Sequence, residues 1–312
     1  MKILLAVEQT RISAGAIRML TKLMLPSGSE LFLLHVNPIP QKITGLAKER
    51  ILRISQQIQE IQDDVMEQAH EFLGKVRKTL RRQDVQFQKK IKKGYPGEEI
   101  VKFIHAKNVD LVVLGTRGYS KAAGFLMGSV SQWVLHEARC SVMIARPMAR
   151  RKKPTRGMNV ILATDGSSDS KSAVDFVNSM EWPASTTITI LHVVKKHVYE
   201  TEQALTMKSE REPEFAKMAE ELLEARGQEG ARILQDTRKA LGSSKLQVQE
   251  RLVFGNPAED ILKTARYIKA DLIVMGARGP AAGRRMFLGS VSNKVVHSAG
   301  CSVAIIRRTD KQ

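Results

Sequence analysis

The chain has 312 residues, a formal net charge of +18 and only two cysteines, Cys140 and Cys301. At roughly 100–200 residues per domain, this length predicts about two domains, and two cysteines cannot build a disulfide framework, so we expect both thiols to be reduced and buried. No segment approaches the roughly 18 apolar residues of a membrane span, and segment 1–7 lacks the long apolar region of a signal peptide, so we expect a cytoplasmic protein without a membrane span.

The first half of the chain alternates short apolar runs with helical patterns. The apolar runs are rich in Val, Ile and Leu with little polar alternation, which is typical of strands buried on both faces of a sheet. Predicted strands cover 2–7, 31–36, 85–91, 110–114 and 141–145. Apolar residues at helical spacing predict helices near 11–24 and over 44–82. Two further helices are expected to begin at Pro96, which suits a first helical turn, and at Ser129.

A basic segment then separates the two halves of the chain. Residues 148–157 contain proline, glycine and several cations, a composition that predicts an exposed linker. It divides a domain over 1–147 from a domain over 158–312. The excess of cations in the chain favours anionic partners, which include nucleotides, nucleic acid and anionic lipid.

The second half repeats the alternation of apolar runs and helices. Predicted strands cover 159–164, 187–194, 246–253, 271–275 and 302–306. A long charged helix is predicted over 198–241, and shorter helices are expected to begin at Pro257 and Ser290.

The two halves are copies of one unit. Residues 94–146 align without a gap on residues 255–307, so that Gly-Ser-Val-Ser at 128–131 falls on the same four letters at 289–292. A constant offset over about fifty residues is the mark of an internal repeat. The front parts of the two copies align with a slightly different offset.

The order of elements predicts the fold class. Strands that alternate with helices make right-handed crossovers and a parallel sheet. We therefore expect an α/β protein with two tandem five-stranded parallel-sheet sandwich domains, Rossmann-like and with strand order 3-2-1-4-5. Ligands of such sheets bind beyond the carboxyl ends of the strands where the winding reverses, which here is between strands one and four.

Each copy carries the spacing G-x2-G-x9-G-S after its fourth strand. The residues are Gly115, Gly118, Gly128 and Ser129 in the first copy and Gly276, Gly279, Gly289 and Ser290 in the second. Such glycines allow positive φ and close approach of a ligand to the backbone, and the start of the following helix offers free amides and a positive dipole end to an anion. Side chains expected to add donors are Arg117, Ser129, Ser131, Arg278, Ser290 and Ser292. Turn glycines with a capping serine would explain one copy, but two identical copies favour a phosphate site.

These motifs resemble the ATP-binding type of the universal stress protein family, whose mark is G-x2-G-x9-G-[ST] after the fourth strand. The resemblance covers nearly the whole chain apart from the linker and the long middle helices, and it implies ATP as the ligand and a stress-response role. In the first copy it places Val7, Glu8, Val36, Gly115, Arg117, Gly118, Gly128, Ser129, Val130 and Ser131 at the nucleotide. In the second copy it places Ala163, Thr164, Asp165, Val193, Met275, Gly276, Arg278, Gly279, Gly289, Ser290, Val291 and Ser292 there.

The two copies differ at the acidic residue that the family has after its first strand. The second copy has Asp165 followed by Gly166, whereas the first has Glu8 followed by Gln9. Glu8 keeps the charge but is one methylene longer, and the flexible glycine is lost. The resemblance thus implies that Asp165 contacts a Mg²⁺ ion bound with ATP, and it leaves open whether the first copy has full affinity.

The histidines do not indicate catalysis or metal binding. His35 and His192 occupy equivalent places in the second strands, and His136 and His297 in the last helices. No carboxylate or cysteine lies at ligand spacing around them. We therefore predict structural hydrogen bonds for these four side chains.

The leading interpretation is an ATP-binding regulatory or stress-resistance protein that acts on an unidentified protein partner. The resemblance implies that its domains pair through their last strands, within the chain or in a homodimer. One alternative is a slow ATPase, although the chain lacks the Walker lysine. The other is charge-driven binding to nucleic acid or a membrane surface. The cationic run from Lys89 to Lys93 lacks interleaved aromatic residues, so nucleic acid is disfavoured and a solvated face is favoured.

Overall fold

A computed structural model describes residues 1–8, 13–38, 66–80, 84–116, 127–147, 157–195, 213–242, 246–279 and 288–308. The chain forms two compact units. The described residues of unit 1 end at Pro147, and those of unit 2 begin at Gly157. The predicted linker, apart from Gly157, lies outside the described residues.

Unit 1 is a parallel five-stranded sheet with helices between its strands. Its elements are β1 (Lys2–Ala6), α1 (Ser13–Lys22), β2 (Ser29–Pro38), α2 (66–79), β3 (Val85–Gly94), α3 (Pro96–Lys107), β4 (Leu111–Gly115), α4 (Ser129–Glu137) and β5 (Ser141–Ala145). The strand order is β3-β2-β1-β4-β5. In the register of the central strand, Ile3 pairs with Leu31 on one side and with Leu111 on the other. The predicted order is confirmed.

Unit 2 repeats this architecture. Its elements are β6 (Asn159–Ala163), α5 (Ser168–Ser179), β7 (Thr187–Lys195), α6 (Pro213–Ala240), β8 (Gln247–Gly255), α7 (Pro257–Tyr267), β9 (Leu272–Gly276), α8 (Ser290–Ser298) and β10 (Ser302–Ile306). Parallel pairing gives the order β8-β7-β6-β9-β10. The central strand β6 again lies between the second strand of the unit, β7, and the fourth, β9, so the winding reverses between β6 and β9.

The central strand of each unit is buried on both faces. Ile3, Leu4 and Leu5 of β1 have no exposed surface, and neither have Ile161 and Leu162 of β6. Burial of one such side chain stabilises a fold by about 1.5–3 kcal/mol. Uniformly apolar strands of this kind require helices on both sides of the sheet, which is why the sequence shows no polar alternation in them.

All ten predicted strands are present, and the helices expected to begin at Pro96, Ser129, Pro257 and Ser290 begin there. The predicted helices over 44–82 and 198–241 are helical where they are described, but residues 44–65 and 198–212 lie outside the described part of the chain. Cys140 is buried as expected, whereas Cys301 is half-buried, and neither forms a disulfide bond. None of the helices in the described ranges is long and apolar enough to cross a membrane.

Candidate functional site

A cleft opens in unit 1 where the winding of the sheet reverses. It lies beyond the ends of β1 and β4, and eight of the residues predicted for the nucleotide site line it. They are Val7, Glu8, Val36, Gly115, Gly128, Ser129, Val130 and Ser131. The fold therefore brings together segments that are more than one hundred residues apart in the chain. The other two predictions for this unit, Arg117 and Gly118, lie outside the described residues.

Sequence reasoning missed part of the lining. Ala6, Ser13, Leu34, Pro96, Ile100 and Leu114 also face the cleft. Pro96 and Ile100 come from the first turns of α3, and Ile100 is buried. A signal is present in the sequence, because Pro96 and Ile100 recur as Pro257 and Ile261 in the second copy of the repeat. Position in a helix alone does not distinguish a wall of the site from the start of a helix.

The last helix of each unit begins without a side-chain cap. Gly128 is the N-cap of α4 with φ −67° and ψ 151°, and Gly289 is the N-cap of α8 with φ −74° and ψ 159°. Neither helix start has a side-chain hydrogen bond to its first amides in the described structure. The amide groups of the first turn and the positive end of the helix dipole can therefore interact with an anion.

The loop glycines of unit 2 are needed for close packing and not for positive φ. Gly276 and Gly279 lie outside the left-handed region, contrary to our expectation for this loop. A Cβ on Gly276 would lie 2.6 Å from the carbonyl carbon of Asp169, so that only glycine lets α5 approach the end of β9. The left-handed residue of the site is instead Gly166, with φ +76°.

Two of the serines predicted as phosphate donors bond to the protein backbone. The Ser131 hydroxyl donates to the carbonyl oxygen of Gly115 at 2.8 Å, and the Ser292 hydroxyl donates to that of Ala277 at 2.6 Å. Each bond ties the start of the last helix to the end of the fourth strand. Ser131 and Ser292 are buried and thus position the helix amides.

Asp165 lies in the turn between β6 and α5. Its Oδ1 atom accepts a hydrogen bond from the Ser167 amide at 3.0 Å, and the Ser167 hydroxyl accepts one from the Ser170 amide at 3.2 Å as the N-cap of α5. The Oδ2 atom would be 2.8 Å from a Cβ on Gly279. The carboxylate therefore faces the loop that follows β9.

Arg278 is paired with a carboxylate that the sequence did not single out. Its Nε atom donates to Asp169 Oδ2 at 3.0 Å, and its backbone amide donates to the same oxygen at 3.1 Å. Its second guanidinium nitrogen, Nη2, lies 3.3 Å from Asp169 Oδ1. We expected Arg278 to supply a cation to phosphate, but the structure directs it to Asp169. The spacing of residues in the chain gives no sign of this pair, because the two are 109 positions apart.

The remaining predicted residues of unit 2 lie at the corresponding strand ends and helix start. Ala163 is the last residue of β6 and Thr164 follows it, Val193 is in β7, Met275 is near the end of β9, and Ser290 and Val291 open α8. Ala163, Thr164 and Met275 are buried, Val193 and Val291 are half-buried, and Ser290 is exposed.

The histidines of the second strands make the structural hydrogen bonds that the sequence predicts. His35 Nδ1 lies 2.8 Å from the carbonyl oxygen of Val7, and His192 Nδ1 lies 2.8 Å from that of Thr164. No cluster of three or more His, Cys, Asp or Glu side chains capable of holding a metal ion occurs among the residues that the structure describes.

Both units are similar to known proteins. A model of the universal stress protein family matches residues 1–146 and 158–307. The universal stress protein YxiE of Bacillus subtilis is 30% identical over 148 residues, which cover 47% of this chain and 97% of that protein. A universal stress protein of Synechocystis is 28% identical over 149 residues, covering 46% and 97%. The crystal structure of a universal stress protein from Archaeoglobus fulgidus, 22% identical, matches 100% of this chain and 97% of its own with a TM-score of 0.59, which supports the fold.

Proposed function

The chain belongs to the universal stress protein family, a membership that supports a stress-response role, and from this premise we propose that it binds ATP in the cytoplasm, with one site in each unit. The observation that carries the proposal is the cleft of unit 1. There an uncapped helix start, Gly128 to Ser131, faces the same space as the ends of β1 and β4.

The cleft has the two kinds of surface that a nucleotide needs. Leu34, Val36 and Ile100 provide apolar walls that suit a base. The first amides of α4 provide donors for phosphate oxygens in a region of positive potential. ATP joins a flat apolar ring to a polyanion, so one ligand uses both surfaces.

Unit 2 has the same helix start and, in addition, Asp165. We propose that Asp165 contacts a Mg²⁺ ion that arrives with ATP. Mg²⁺ is commonly held by one or two carboxylates together with substrate phosphates and water. Asp165 fits this donor set, because it faces the loop after β9 and one of its oxygens bonds to the Ser167 amide.

We favour binding over turnover as the function. The next carboxylate after Asp165 in the sequence is Asp169, in the first turn of α5. Both of its oxygens accept hydrogen bonds from the Arg278 guanidinium. Asp165 would then have to orient both a metal ion and an attacking water. A protein of this kind would act by presenting a different surface to a protein partner when ATP is bound.

The two sites can be tested separately with glycine substitutions. Gly289 is the N-cap of α8, and a Cβ there would lie 3.3 Å from the Ala277 carbonyl oxygen. Gly289→Val should therefore abolish binding in unit 2, and Gly128→Val should do so in unit 1. Calorimetric titration with ATP and Mg²⁺ should give two sites in the wild type, one in each variant and none in the double variant.

A matched control is Gly74→Val. Gly74 lies in α2, and a Cβ there would have nothing within 4 Å. This variant should keep both sites. Circular dichroism and thermal unfolding would establish that the variants are folded. Two ATP molecules bound by a folded double variant would overturn the proposal.

A further inference from the structure

We infer that Asp169 is a positioning residue of the ATP site in unit 2, and that it holds the Arg278 guanidinium away from the nucleotide phosphates. The inference rests on the proposed function, because it concerns the same site. It assigns a role to a buried carboxylate that neither the G-x2-G-x9-G-S spacing nor Asp165 explains.

The contact between the two residues is extensive. Asp169 is 2% exposed, in the first turn of α5. It accepts hydrogen bonds from the Arg278 backbone amide and from two atoms of the guanidinium, at 3.0 to 3.3 Å. The Asp169 backbone also packs against Gly276, at the end of β9. Main chain and side chain of the loop are thus both fixed to α5.

A second set of contacts joins the loop residues 277 and 278 to the start of α8. The Ser167 hydroxyl lies 3.3 Å from the Arg278 carbonyl oxygen. On the other side, the Gly289 amide donates to the Ala277 carbonyl oxygen at 2.8 Å. Residues 277 and 278 therefore connect α5, which carries Asp169, to the amides that would bind phosphate. Asp169 sets the place of those amides relative to Asp165.

The burial of the Asp169 carboxylate explains why Arg278 would stay paired with it when a phosphate binds. A carboxylate that is 2% exposed cannot recover solvation if its cation leaves. The Arg278 side chain is 36% exposed and that of Asp169 is 3% exposed, so the loss of the cation is unfavourable mainly because it leaves the buried carboxylate without its charge partner. The ATP phosphates remain partly in contact with water and Mg²⁺, so they have less to gain from Arg278 than Asp169 has to lose.

The first copy of the repeat has no aspartate at the position of Asp169. In the alignment that places Asp165 on Glu8, Asp169 falls on Ile12. Ile12 lies outside the described residues, but an isoleucine cannot pair with an arginine. The two units thus share the glycine spacing, but their sequences differ at the position of Asp169.

The sign of one substitution tests the inference. Asp169→Asn keeps the shape and one acceptor for the Arg278 amide but removes the charge. If Arg278 is a phosphate ligand, the variant frees a cation and removes a nearby anion, so ATP should bind more tightly. If Asp169 positions the loop, ATP should bind about tenfold more weakly, which corresponds to the loss of one charge-assisted contact.

The titration should be made in full-length protein carrying Gly128→Val, so that only unit 2 binds. Adenosine should bind equally to Asp169→Asn and its parent, because a folding defect would weaken both ligands and a displaced loop weakens only ATP. Arg278→Lys keeps the charge but loses the two-nitrogen contact of the guanidinium with Asp169, and it should also weaken the binding of ATP. Ser168→Ala, in the same turn but exposed, is the control. Unchanged or tighter ATP binding by Asp169→Asn would overturn the inference.

Failure of the proposed function is a separate result. If the parent protein binds no ATP, the proposed function is wrong. The effect of Asp169 on the order of the loop is then measured without nucleotide, by hydrogen exchange of the Arg278 backbone amide. Exchange should be faster in Asp169→Ala and unchanged in Ser168→Ala. Equal protection in all three proteins would overturn the positioning role itself.

Discussion

The Nδ1 atom of His192 lies 2.8 Å from the carbonyl oxygen of Thr164, the residue directly before Asp165. A carbonyl oxygen only accepts, so Nδ1 carries the proton. The same atoms of His35 and Val7 lie 2.8 Å apart in unit 1. In each unit the second strand thus fixes the turn that carries the acidic residue of the site.

We predict that the hydrogen bond from His192 is needed for the stability of unit 2. Thr164 is buried, and a buried carbonyl that loses its donor costs about 1–3 kcal/mol. His192→Leu should lower the free energy of unfolding by about this amount in a urea titration. His192→Asn offers an amide nitrogen near the position of Nδ1 and should retain most of the stability. Equal losses in the two variants would contradict this role for the histidine.

The fold could be predicted because its strands are marked by composition. A run such as Leu272–Gly276 is apolar throughout, and only a strand covered on both faces gives that pattern at this length. The place of the site followed from the strand order, which puts the ends of β1 and β4 side by side. No distant contact had to be known for either step.

The contacts inside the site could not be predicted in the same way. The sequence shows that Arg278 is a cation in a glycine loop, and phosphate is a reasonable partner for it. The choice of Asp169 depends on how closely α5 approaches β9, which is a matter of packing at Gly276. The hydroxyl of Ser292 likewise finds the Ala277 carbonyl because the helix start is folded back onto the strand.

We predict that an ion-pair cluster makes the stability of unit 1 depend on pH. Glu99 accepts hydrogen bonds from Lys102 at 2.9 Å and from Lys92 at 3.1 Å, so it links α3 to β3. These bonds hold the pKa of Glu99 below its ordinary value of 4.5. A lowered pKa in the folded state contributes stability above the unfolded value, and that contribution is lost as the pH falls from 4.5 through the folded value.

Glu99→Gln is the variant that checks this linkage. Its melting temperature should lie below that of the wild type at pH 7, and the difference should shrink as the pH falls below 4.5. Glu98→Gln is the matched control, because the Glu98 side chain is half exposed and its Oε2 atom lies 3.5 Å from Lys102 Nζ, farther than either oxygen of Glu99 lies from its lysine. A difference between wild type and Glu99→Gln that stays constant from pH 7 to pH 3 would contradict the assignment.

Gly97 and Trp133 are expected to be coupled. A Cβ on Gly97 would lie 2.8 Å from Trp133 Cδ1. At the equivalent positions unit 2 has an alanine and a lysine, Ala258 and Lys294. Gly97→Ala should therefore lower the free energy of unfolding by about 1 kcal/mol through overpacking, and adding Trp133→Lys should restore it.

The same substitution at an open site should have the opposite sign. A Cβ on Gly74, in α2, would have nothing within 4 Å. Gly74→Ala should therefore stabilise unit 1 by about 0.5–1 kcal/mol through helix propensity. Chemical unfolding of the three variants provides the comparison. If Gly97→Ala and Gly74→Ala shift the stability in the same direction, the contact with Trp133 does not constrain this position.

The last prediction concerns the acidic residue after the first strand of each unit. Asp165 is held by the Ser167 amide, and Gly166 takes the left-handed turn that lets the carboxylate face the loop after β9. In unit 1 the Glu8 amide and carbonyl both bond to the Ser13 hydroxyl, and the Glu8 side chain is exposed. Its longer carboxylate must lose more freedom to reach the same point.

Unit 2 should therefore bind ATP with Mg²⁺ more tightly than unit 1. One or two charge-assisted contacts are worth roughly 1.5–3 kcal/mol each, so we expect a gap of about tenfold or more in Kd. Gly128→Val leaves only unit 2 to bind, and Gly289→Val leaves only unit 1. The gap between these variants should narrow when EDTA removes Mg²⁺, because Asp165 then loses the ion through which it acts on the phosphates. Equal affinities with Mg²⁺ present would mean that the helix amides supply nearly all of the binding energy and that the acidic residue contributes little.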